Sequence, residues 1–210
     1  MSELPSWWQP LLTNVGAATT ETFTRFEVPE TGRESAVLVL LGETARGEPD
    51  ILLLQRADDM RNHAGQPAFP GGAADPGDAG PIDTALREAN EEVGLRRDTV
   101  SVQSLLPPLW IPVSNFIVRP VLAWWHSPHP VAPEDPREVA SVARVSVAEL
   151  VNPDNRVRVR HPSGWISPGF TVGNMLVWGF TAGVLSVLLD LGGWSRPWDP
   201  AGRIEDLSVA

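Results

Sequence analysis

The segment that most constrains the fold covers residues 69–95 and reads F-P-G-G-A-A-D-P-G-D-A-G-P-I-D-T-A-L-R-E-A-N-E-E-V-G-L. It opens with glycine and proline, which favour a turn, and it closes with residues that favour a helix. Pro81 suits the first turn of a helix, Asp83 suits the positive end of its dipole, and Gly94 suits the left-handed residue after its end. The sequence therefore predicts a turn followed by a short, well-delimited helix.

The predicted helix has an apolar side and an acidic side, because each residue advances the helix by about 100°. The apolar stripe contains Ile82, Leu86, Ala89 and Val93, and the acidic side contains Glu88, Glu91 and Glu92. Like charges three and four residues apart repel by roughly a few tenths of a kcal/mol per pair. A divalent cation would offset that repulsion, and magnesium prefers oxygen ligands and commonly joins carboxylates to phosphates. The alternative is a solvated acidic face with no ligand.

The P-G-G turn, two acidic residues and the run R-E-x-x-E-E-x-G-L together resemble the box of the Nudix family, G-x5-E-x7-R-E-U-x-E-E-x-G-U, in which U is bulky and apolar. The residues that match in register are Arg87, Glu88, Glu91, Glu92, Gly94 and Leu95. Asp78 stands where the early glutamate is expected, and eight residues rather than seven separate it from Arg87. Ala89 is a small version of U. The extra residue leaves the role of Asp78 open.

A second motif lies directly before the box and resembles that of the coenzyme A pyrophosphatase branch of the family, L-L-T-x-R-[SA]-x3-R-x3-G-x3-F-P-G-G. The matching residues are Leu52, Leu53, Arg56, Ala57, Arg61, Gly65, Phe69, Pro70, Gly71 and Gly72, while Leu54 replaces the threonine. Guanidinium groups at Arg56 and Arg61 could hold phosphate oxygens in a bidentate way. The alternative is that they pair with Asp58 and Asp59 on the surface. Residues 178–182, W-G-F-T-A, resemble the W-G-x-T-A that closes domains of this branch.

Composition limits the classes of function. The 210 residues carry a formal net charge of −10, with a pI near 4.8, which argues against a nucleic-acid binder because such proteins present basic patches. The absence of cysteine excludes disulfides and thiolate metal sites and fits a cytoplasmic location. The N-terminus lacks the pattern of a signal peptide, and the uncharged residues 175–189 are too few to span a bilayer. We therefore expect no membrane partner.

Hydrophobic patterns predict strands and helices along the rest of the chain. Strands are expected at residues 35–41, 51–56, 100–106, 116–125, 139–147 and 155–160, and helices at 147–151 and 174–191. Pro120 places the fourth strand near a sheet edge, and three alternating arginines favour an exposed edge for the last strand. Asn174 is the expected N-cap of the final helix. We expect an N-terminal extension at 1–34 with one short packed helix, a domain at 35–192 and a loose tail at 193–210.

The resemblance implies an α+β fold, the Nudix α/β/α sandwich with a mixed central sheet, in which the box forms a loop, a helix and a loop. It also implies Mg²⁺ or Mn²⁺ as cofactor, held by Glu88, Glu91 and Glu92 with help from Gly72. Arg87 would orient these glutamates. Residues 138–150 resemble a further Nudix pattern, E-V-x-x-V-x-x-V-x-x-x-x-L, which makes Glu138, with Glu134 behind it, a candidate metal ligand or base.

The substrate implied by the resemblance is coenzyme A, cleaved at its diphosphate to 3′,5′-ADP and 4′-phosphopantetheine. Arg56 and Arg61 would approach the diphosphate or the 3′-phosphate, and Phe69, Gly71 and Gly72 would form the substrate loop. The proton of the attacking water would go to one of the three glutamates or to Glu138. Two alternatives stay open: a Nudix hydrolase of another nucleoside diphosphate derivative, such as NADH or ADP-ribose, and a non-catalytic ligand-binding module. Relatives of this kind often form homodimers.

Overall fold

A computed structural model describes residues 4–57 and 65–207. Its α-helices are α1 Trp8–Gly16, α2 Thr20–Phe23, α3 Pro81–Val93, α4 Val147–Leu150 and α5 Gly179–Leu191, with short 3₁₀ turns at Arg97–Thr99 and Pro153–Asn155. Its first strands are β1 Arg33–Glu43, β2 Pro49–Arg56, β3 Pro67–Ala68, β4 Gly71–Ala73, β5 Val100–Leu105 and β6 Leu109–Ile111. The later strands are β7 Phe116–Trp125, β8 Val139–Ser146, β9 Arg156–Arg160, β10 Ile166–Val172, β11 Met175–Val177 and β12 Ile204–Asp206.

The main sheet has the order β3-β2-β1-β7-β5, with β4 also paired to β1, β6 to β7 and β8 to β2. Its pairing is mixed, because β1 and β7 run parallel while the other neighbours run antiparallel. The first two predicted strands are present and form an antiparallel hairpin, with Leu41 opposite Ile51. The predicted strand and short helix over residues 139–151 are confirmed as β8 and α4.

Helices cover both faces of this sheet. Successive side chains of a strand point to opposite faces, so Leu38 and Leu40 of β1 pack in the core beneath α3, while Val39 and Leu41 pack in the core that includes α1, α5 and the second sheet. The result is a mixed sheet between helical layers, which confirms the predicted α/β/α sandwich.

Strand β7 lies between β1 and the edge strand β5, so Pro120 is near an edge of the sheet, as predicted, but in an interior strand. The carbonyl of Pro120 accepts a hydrogen bond from the backbone N–H of Leu106. The N–H that proline lacks would lie on that same side, between the end of β5 at Leu105 and the start of β6 at Leu109. An interior proline is tolerated here because the neighbouring strand is interrupted opposite it.

A second sheet has the order β11-β10-β9-β12 and corrects two predictions. The arginine-bearing strand β9 lies between two strands and is no edge, and Ile204–Asp206 of the predicted loose tail pairs with it in parallel. The cause is a contact that periodicity does not reveal: the guanidinium of Arg156 lies 4.4 Å from the ring centre of Phe170 and 4.9 Å from that of Trp198. This half-buried cation joins the C-terminal segment to the sheet.

The last long helix begins later than predicted. Residues Met175–Val177 form β11, and α5 begins at Gly179. Val172 pairs with Met175, so Gly173 and Asn174 form a two-residue hairpin turn, in which Gly173 has φ +54°. A turn of this kind suits a residue with positive φ. Asn174 is therefore a turn residue rather than the N-cap of the helix.

The N-terminal segment contributes to the core. The predicted short helix is present as α1, and its residues Trp8 and Leu11 are completely buried. The indole N–H of Trp7 donates a hydrogen bond to Glu43 of β1. Residues on both sides of the segment 35–192 thus pack against it, and its proposed domain boundaries stay a prediction. Over residues 4–57 and 65–207, no helix has the length and apolarity needed to cross a membrane.

Candidate active site

Helix α3 forms where the sequence predicted it. Pro81 occupies its first turn, and Gly94 just past its end has φ +68°, the left-handed conformation that glycine adopts readily. Leu86, Ala89 and Val93 are buried against the sheet, with Ile82 partly buried beside them. The helix is therefore fixed along one side, and its residues Glu88 and Glu92 face the glycine turn that precedes it.

The two glycines of that turn allow an unusually close approach to β1 and α3. Gly71 and Gly72 pair with Val37 and Ala36 of β1. A Cβ on Gly71 would lie 2.3 Å from the carbonyl oxygen of Ala36, and a Cβ on Gly72 would lie 2.4 Å from the carboxyl carbon of Glu88. Any side chain at either position would displace the strand or the carboxylate. The glycines thus bring the turn's backbone directly against Glu88.

Glu92 is enclosed by the same turn and is only 7% exposed. Its Oε2 accepts a hydrogen bond of 2.9 Å from the backbone N–H of Gly71, and its Oε1 lies 3.6 Å from Nη1 of Arg56. Burial raises the pKa of Glu92 to about 7, against the opposing influence of Gly71 and Arg56 and with smaller contributions from Glu88 and Glu138. Helical periodicity placed this residue on an acidic surface, but the glycine turn covers it.

Arg87 is the centre of a hydrogen-bond network at the start of the acidic face. Its Nε and Nη2 donate to Oδ1 and Oδ2 of Asp78 at 2.9 and 3.0 Å. Its Nη1 donates to Glu88 and to Glu91, both at 3.0 Å, and Nη2 also donates to the carbonyl of Ala73 at 3.1 Å. Arg87 therefore hydrogen-bonds two of the three glutamates and joins them to the turn, while its role in orienting them for a metal stays a prediction.

Asp78, whose role the sequence left open, is the anchor of Arg87. Its side chain is 7% exposed, and it also accepts hydrogen bonds from the hydroxyl of Thr84 at 2.8 Å and the backbone N–H of Asp75 at 2.9 Å. The bond from Arg87, followed by that from Asp75, holds the pKa of Asp78 well below its usual range. Asp78 therefore forms a bidentate pair with Arg87, although it replaces the longer glutamate of the motif and lies one residue farther from Arg87 than the motif specifies.

The three glutamates are not assembled around a common point. Glu88 is half-buried, and burial raises its pKa, while the side chain of Glu91 is 58% exposed. In the part of the chain that the structure describes, no three or more His, Cys, Asp or Glu side chains converge in a way that could hold a metal ion. Their carboxylate oxygens are nevertheless the donors that Mg²⁺ and Mn²⁺ prefer, and the missing side chain of Gly72 lets the turn lie directly against the carboxylate of Glu88. The residues fit a hard divalent cation in their chemistry, and the exposed Glu91 side chain has room to turn.

Two further acidic candidates lie near the end of α3. Glu138 is exposed, its carbonyl accepts a hydrogen bond from the N–H of Ala57, and its charge is close enough to raise the pKa of Glu92. Glu134 donates its backbone N–H to the carbonyl of Glu92, and its carboxylate lies beside Gly94. The structure thus brings both near the acidic face, with the charge of Glu138 acting on Glu92 directly.

The remaining candidate residues are those predicted to bind the substrate, namely Phe69, Arg61 and Arg56. Phe69 is 3% exposed and belongs to the core beneath the turn, so its side chain has a packing role and contact with substrate stays a prediction. Arg61 lies outside the described residues. Arg56, at the end of β2, is brought against Glu92, which no local sequence pattern could show because β2 and α3 meet only in the fold.

A concavity of about 360 Å³ lies along β8, and its lining residues are Pro128, His129, Pro130, Val131, Val142, Ala143 and Arg144. None of these is a candidate site residue. Arg144 is already engaged there, since it lies 2.7 Å from the buried carboxylate of Asp50. The candidate active site is instead the surface shared by the glycine turn, α3 and the end of β2.

Comparison with known proteins identifies the fold and the family. A NUDIX domain family model matches residues 32–166. An uncharacterized Nudix hydrolase NudL from Cronobacter sakazakii (strain ATCC BAA-894) is 42% identical over 163 residues, which cover 74% of this chain and 81% of that protein. A NudL from Citrobacter koseri, also uncharacterized, is 40% identical over 167 residues, with the same coverage of 74% and 81%.

Solved structures show the same architecture. The Nudix hydrolase RenU from M. Smegmatis superposes with a TM-score of 0.54 at 20% identity, over 77% of this chain and 86% of that one. A MutT/nudix family protein from Enterococcus faecalis superposes with a TM-score of 0.51 at 14% identity, over 89% and 73% of the two chains. At such identities these likenesses describe the fold alone. The family model and the NudL relatives go further, and they show that the chain belongs to the Nudix hydrolase family.

Proposed function

We propose that this protein is a metal-dependent hydrolase that cleaves the diphosphate of coenzyme A or its acyl derivatives, releasing 3′,5′-ADP and 4′-phosphopantetheine or its acyl form. The observation that carries the proposal is the meeting of two motifs. Arg56, from the motif that resembles the coenzyme A branch, lies 3.6 Å from Glu92 of the box, and Gly71, from the P-G-G that both motifs share, donates its backbone N–H to the same carboxylate. A residue whose motif suggests the substrate class thus lies beside a residue whose motif suggests the chemistry.

Glu88, Glu91 and Glu92 would hold Mg²⁺ or Mn²⁺ together with the backbone at Gly72. A bound divalent cation neutralises charge on phosphate oxygens and lowers the pKa of a water molecule that attacks phosphorus. Arg87 keeps Glu88 and Glu91 beside the turn, because Asp78 and the carbonyl of Ala73 fix its guanidinium.

In the hydrolysis, the oxygen of one water bonds to one phosphorus, and the bridging oxygen departs with the other phosphate. The water proton would pass to one of the three glutamates or to the exposed Glu138. Arg56 and Arg61 would hold the oxygens of the diphosphate or of the 3′-phosphate through their planar forks. Catalysis of this type depends mainly on positioning and charge neutralisation.

A substrate panel tests the assignment. Purified protein with Mg²⁺ is given coenzyme A, NADH and ADP-ribose at equal concentration, and the products are resolved by mass. We expect coenzyme A to be cleaved with a kcat/KM at least about tenfold above the others, since discrimination of this size needs only about 1.4 kcal/mol of differential transition-state binding. The two products should appear in equal amounts, and chelation of the metal should stop the reaction.

A preference for NADH or ADP-ribose would remove the coenzyme A assignment while leaving the hydrolase chemistry in place. Tight binding of coenzyme A with no cleavage of any compound would instead favour a ligand-binding module.

A further inference from the structure

Among the residues that the structure describes, two arginines lie against the acidic face of α3, and they are held very differently. Arg87 makes five hydrogen bonds, two of them bidentate to the buried carboxylate of Asp78. Arg56 approaches Glu92 at 3.6 Å, which is beyond hydrogen-bond distance. Charge-assisted bidentate pairs are the strong ones, whereas a loose ion pair contributes little. Arg87 is therefore a fixed part of the site, and Arg56 is the cation that can leave.

The guanidinium of Arg56 is poorly satisfied where it lies. Its Nε is buried without a hydrogen-bond partner among residues 4–57 and 65–207, and its side chain is 24% exposed. The backbone of Arg56 is tied down separately, since its N–H donates to the carbonyl of Gln66 at 3.1 Å. The side chain can consequently turn toward another anion without any change in β2.

Of the two oxygens of Glu92, Oε1 is the more available to another cation. Oε2 already accepts a hydrogen bond of 2.9 Å from the backbone N–H of Gly71, whereas Oε1, the oxygen nearest Arg56, has only the loose ion pair. A divalent cation at Glu92 and the guanidinium of Arg56 would therefore compete for the same atom. Two cations at that point would also repel each other.

We infer that Arg56 is a displaceable counter-ion of Glu92, exchanged for the divalent cation and then used to hold the substrate diphosphate. The inference rests on the proposed function and adds an order of events to it. Arg56 is a positioning residue for Glu92 before the exchange and a substrate contact after it. Because binding free energies are reciprocal, cation and diphosphate should each strengthen the binding of the other.

The test is calorimetric titration of Mn²⁺ alone into the full chain, with Arg56→Gln, Arg56→Lys and Arg160→Gln compared with the native protein. Arg160 also forms an ion pair, with Asp206 of β12, and controls for the loss of one positive charge. We expect Arg56→Gln to bind Mn²⁺ about two- to fivefold more tightly, because a partly exposed competing ion pair is removed. Arg56→Lys and Arg160→Gln should bind Mn²⁺ as the native protein does.

The second arm measures binding of methylenediphosphonate, a diphosphate analogue whose P–C–P bridge cannot be hydrolysed, at a fixed saturating concentration of Mn²⁺. Arg56→Gln should lose about tenfold or more in affinity, the size expected when hydrogen bonds to a charged group are removed. Arg160→Gln should lose none. If Arg56→Gln did not fold, Arg56→Lys would decide, since it should keep native Mn²⁺ affinity and still bind the diphosphonate more weakly.

Unchanged or weaker Mn²⁺ binding by Arg56→Gln would overturn the exchange, as would native diphosphonate affinity in Arg56→Lys. Either result leaves the proposed function standing if the native protein binds Mn²⁺. A native protein that binds no Mn²⁺ would overturn the proposed function itself.

Discussion

Arg87 is held so completely that Asp78 becomes the residue on which the acidic face depends. Its carboxylate accepts from Arg87, Thr84 and Asp75, and its pKa in the folded protein lies well below the unfolded value of about 3.9. A carboxyl group with a depressed pKa contributes stability that is fully present above its unfolded pKa and is lost as pH falls toward its folded pKa.

Replacing Asp78 should remove this pH-dependent contribution to stability. Asp78→Asn should lower Tm at pH 7, and between pH 5 and pH 3 its Tm should fall less steeply than that of the native protein, since the titrating group is gone. Thermal melts across this range check it. Asp154→Asn is the control, since Asp154 is exposed and has no ion pair within the described residues, and it should follow the native curve. Parallel curves for native protein and Asp78→Asn would contradict the anchoring role.

Glu92→Gln is the second prediction at this scale. The amide keeps the shape of the side chain and an oxygen that can accept from the N–H of Gly71, so the fold should survive with a native circular dichroism spectrum. Loss of the carboxylate should lower kcat by at least about a hundredfold, in the range typical for removing a group that stabilises developing charge. A folded variant with native turnover would show that Glu92 takes no part in the reaction.

The sequence indicated which residues belong to the candidate site, but it did not show which side chains they contact. The motif match pointed to Glu92 and Arg56, but not to their contact, which joins β2 to α3 across 36 positions of the chain. The burial of Glu92 could not be predicted either, because it depends on Gly71 and Gly72 lying against the helix. The role of Asp78 could not be predicted because Asp78 departs from the motif, and only the fold shows that its carboxylate pairs with Arg87.

Helix α3 ends at a glycine in the left-handed conformation, and Gly183 inside α5 provides a matched glycine for comparison. Gly94→Ala should destabilise the protein by about 1–2 kcal/mol, because an L-residue is strained in the left-handed conformation at φ +68°. Gly183→Ala should be stabilising by about 0.5–1 kcal/mol, since Gly183 lies inside α5 and a Cβ there meets no atom within 4 Å. Urea unfolding measures both, and equal effects for the two variants would show that the helix end is not strained.

Periodicity predicted the longer strands of the main sheet, because alternating or continuous apolar runs are local properties, but it did not predict the short strands β3, β4 and β6. It failed where a tertiary contact decides the structure. The apolar run after Gly173 and Asn174 continues through β11 into α5, so periodicity alone predicts the start of a helix at this turn. Strand β12 has little pattern of its own and is stabilised from outside, by pairing with β9 and by the contact of Trp198 with Arg156.

The hydrophobic core of the molecule includes residues of α1, which lies outside the segment that resembles the family. Trp8 is completely buried, with its ring stacked 5.2 Å from Trp7 and edge-on to Trp124 at 6.3 Å. Trp8→Ala should therefore cost about 3–5 kcal/mol of unfolding free energy, as removal of a buried aromatic side chain does. Trp165→Ala is the matched control, because Trp165 is 44% exposed and should lose less than about 1 kcal/mol.

Chemical denaturation followed by circular dichroism distinguishes the two. Equal losses for Trp8→Ala and Trp165→Ala would mean that α1 is dispensable to the fold. The sequence predicted that α1 packs against the body, yet a family resemblance beginning near β1 gave no indication that its tryptophan lies in the core.

The claim on which the function depends is that the acidic face of α3 binds a divalent cation, and Mn²⁺ titration followed by electron paramagnetic resonance tests it most directly. We compare the native chain with the double variant Glu88→Gln, Glu92→Gln and with a control that loses the same charge at two exposed positions, Glu21→Gln, Glu48→Gln. We expect native and control proteins to bind at least one Mn²⁺ and the α3 variant to bind it at least about tenfold more weakly, since two carboxylate ligands are lost. Equal Mn²⁺ binding by all three proteins would contradict it.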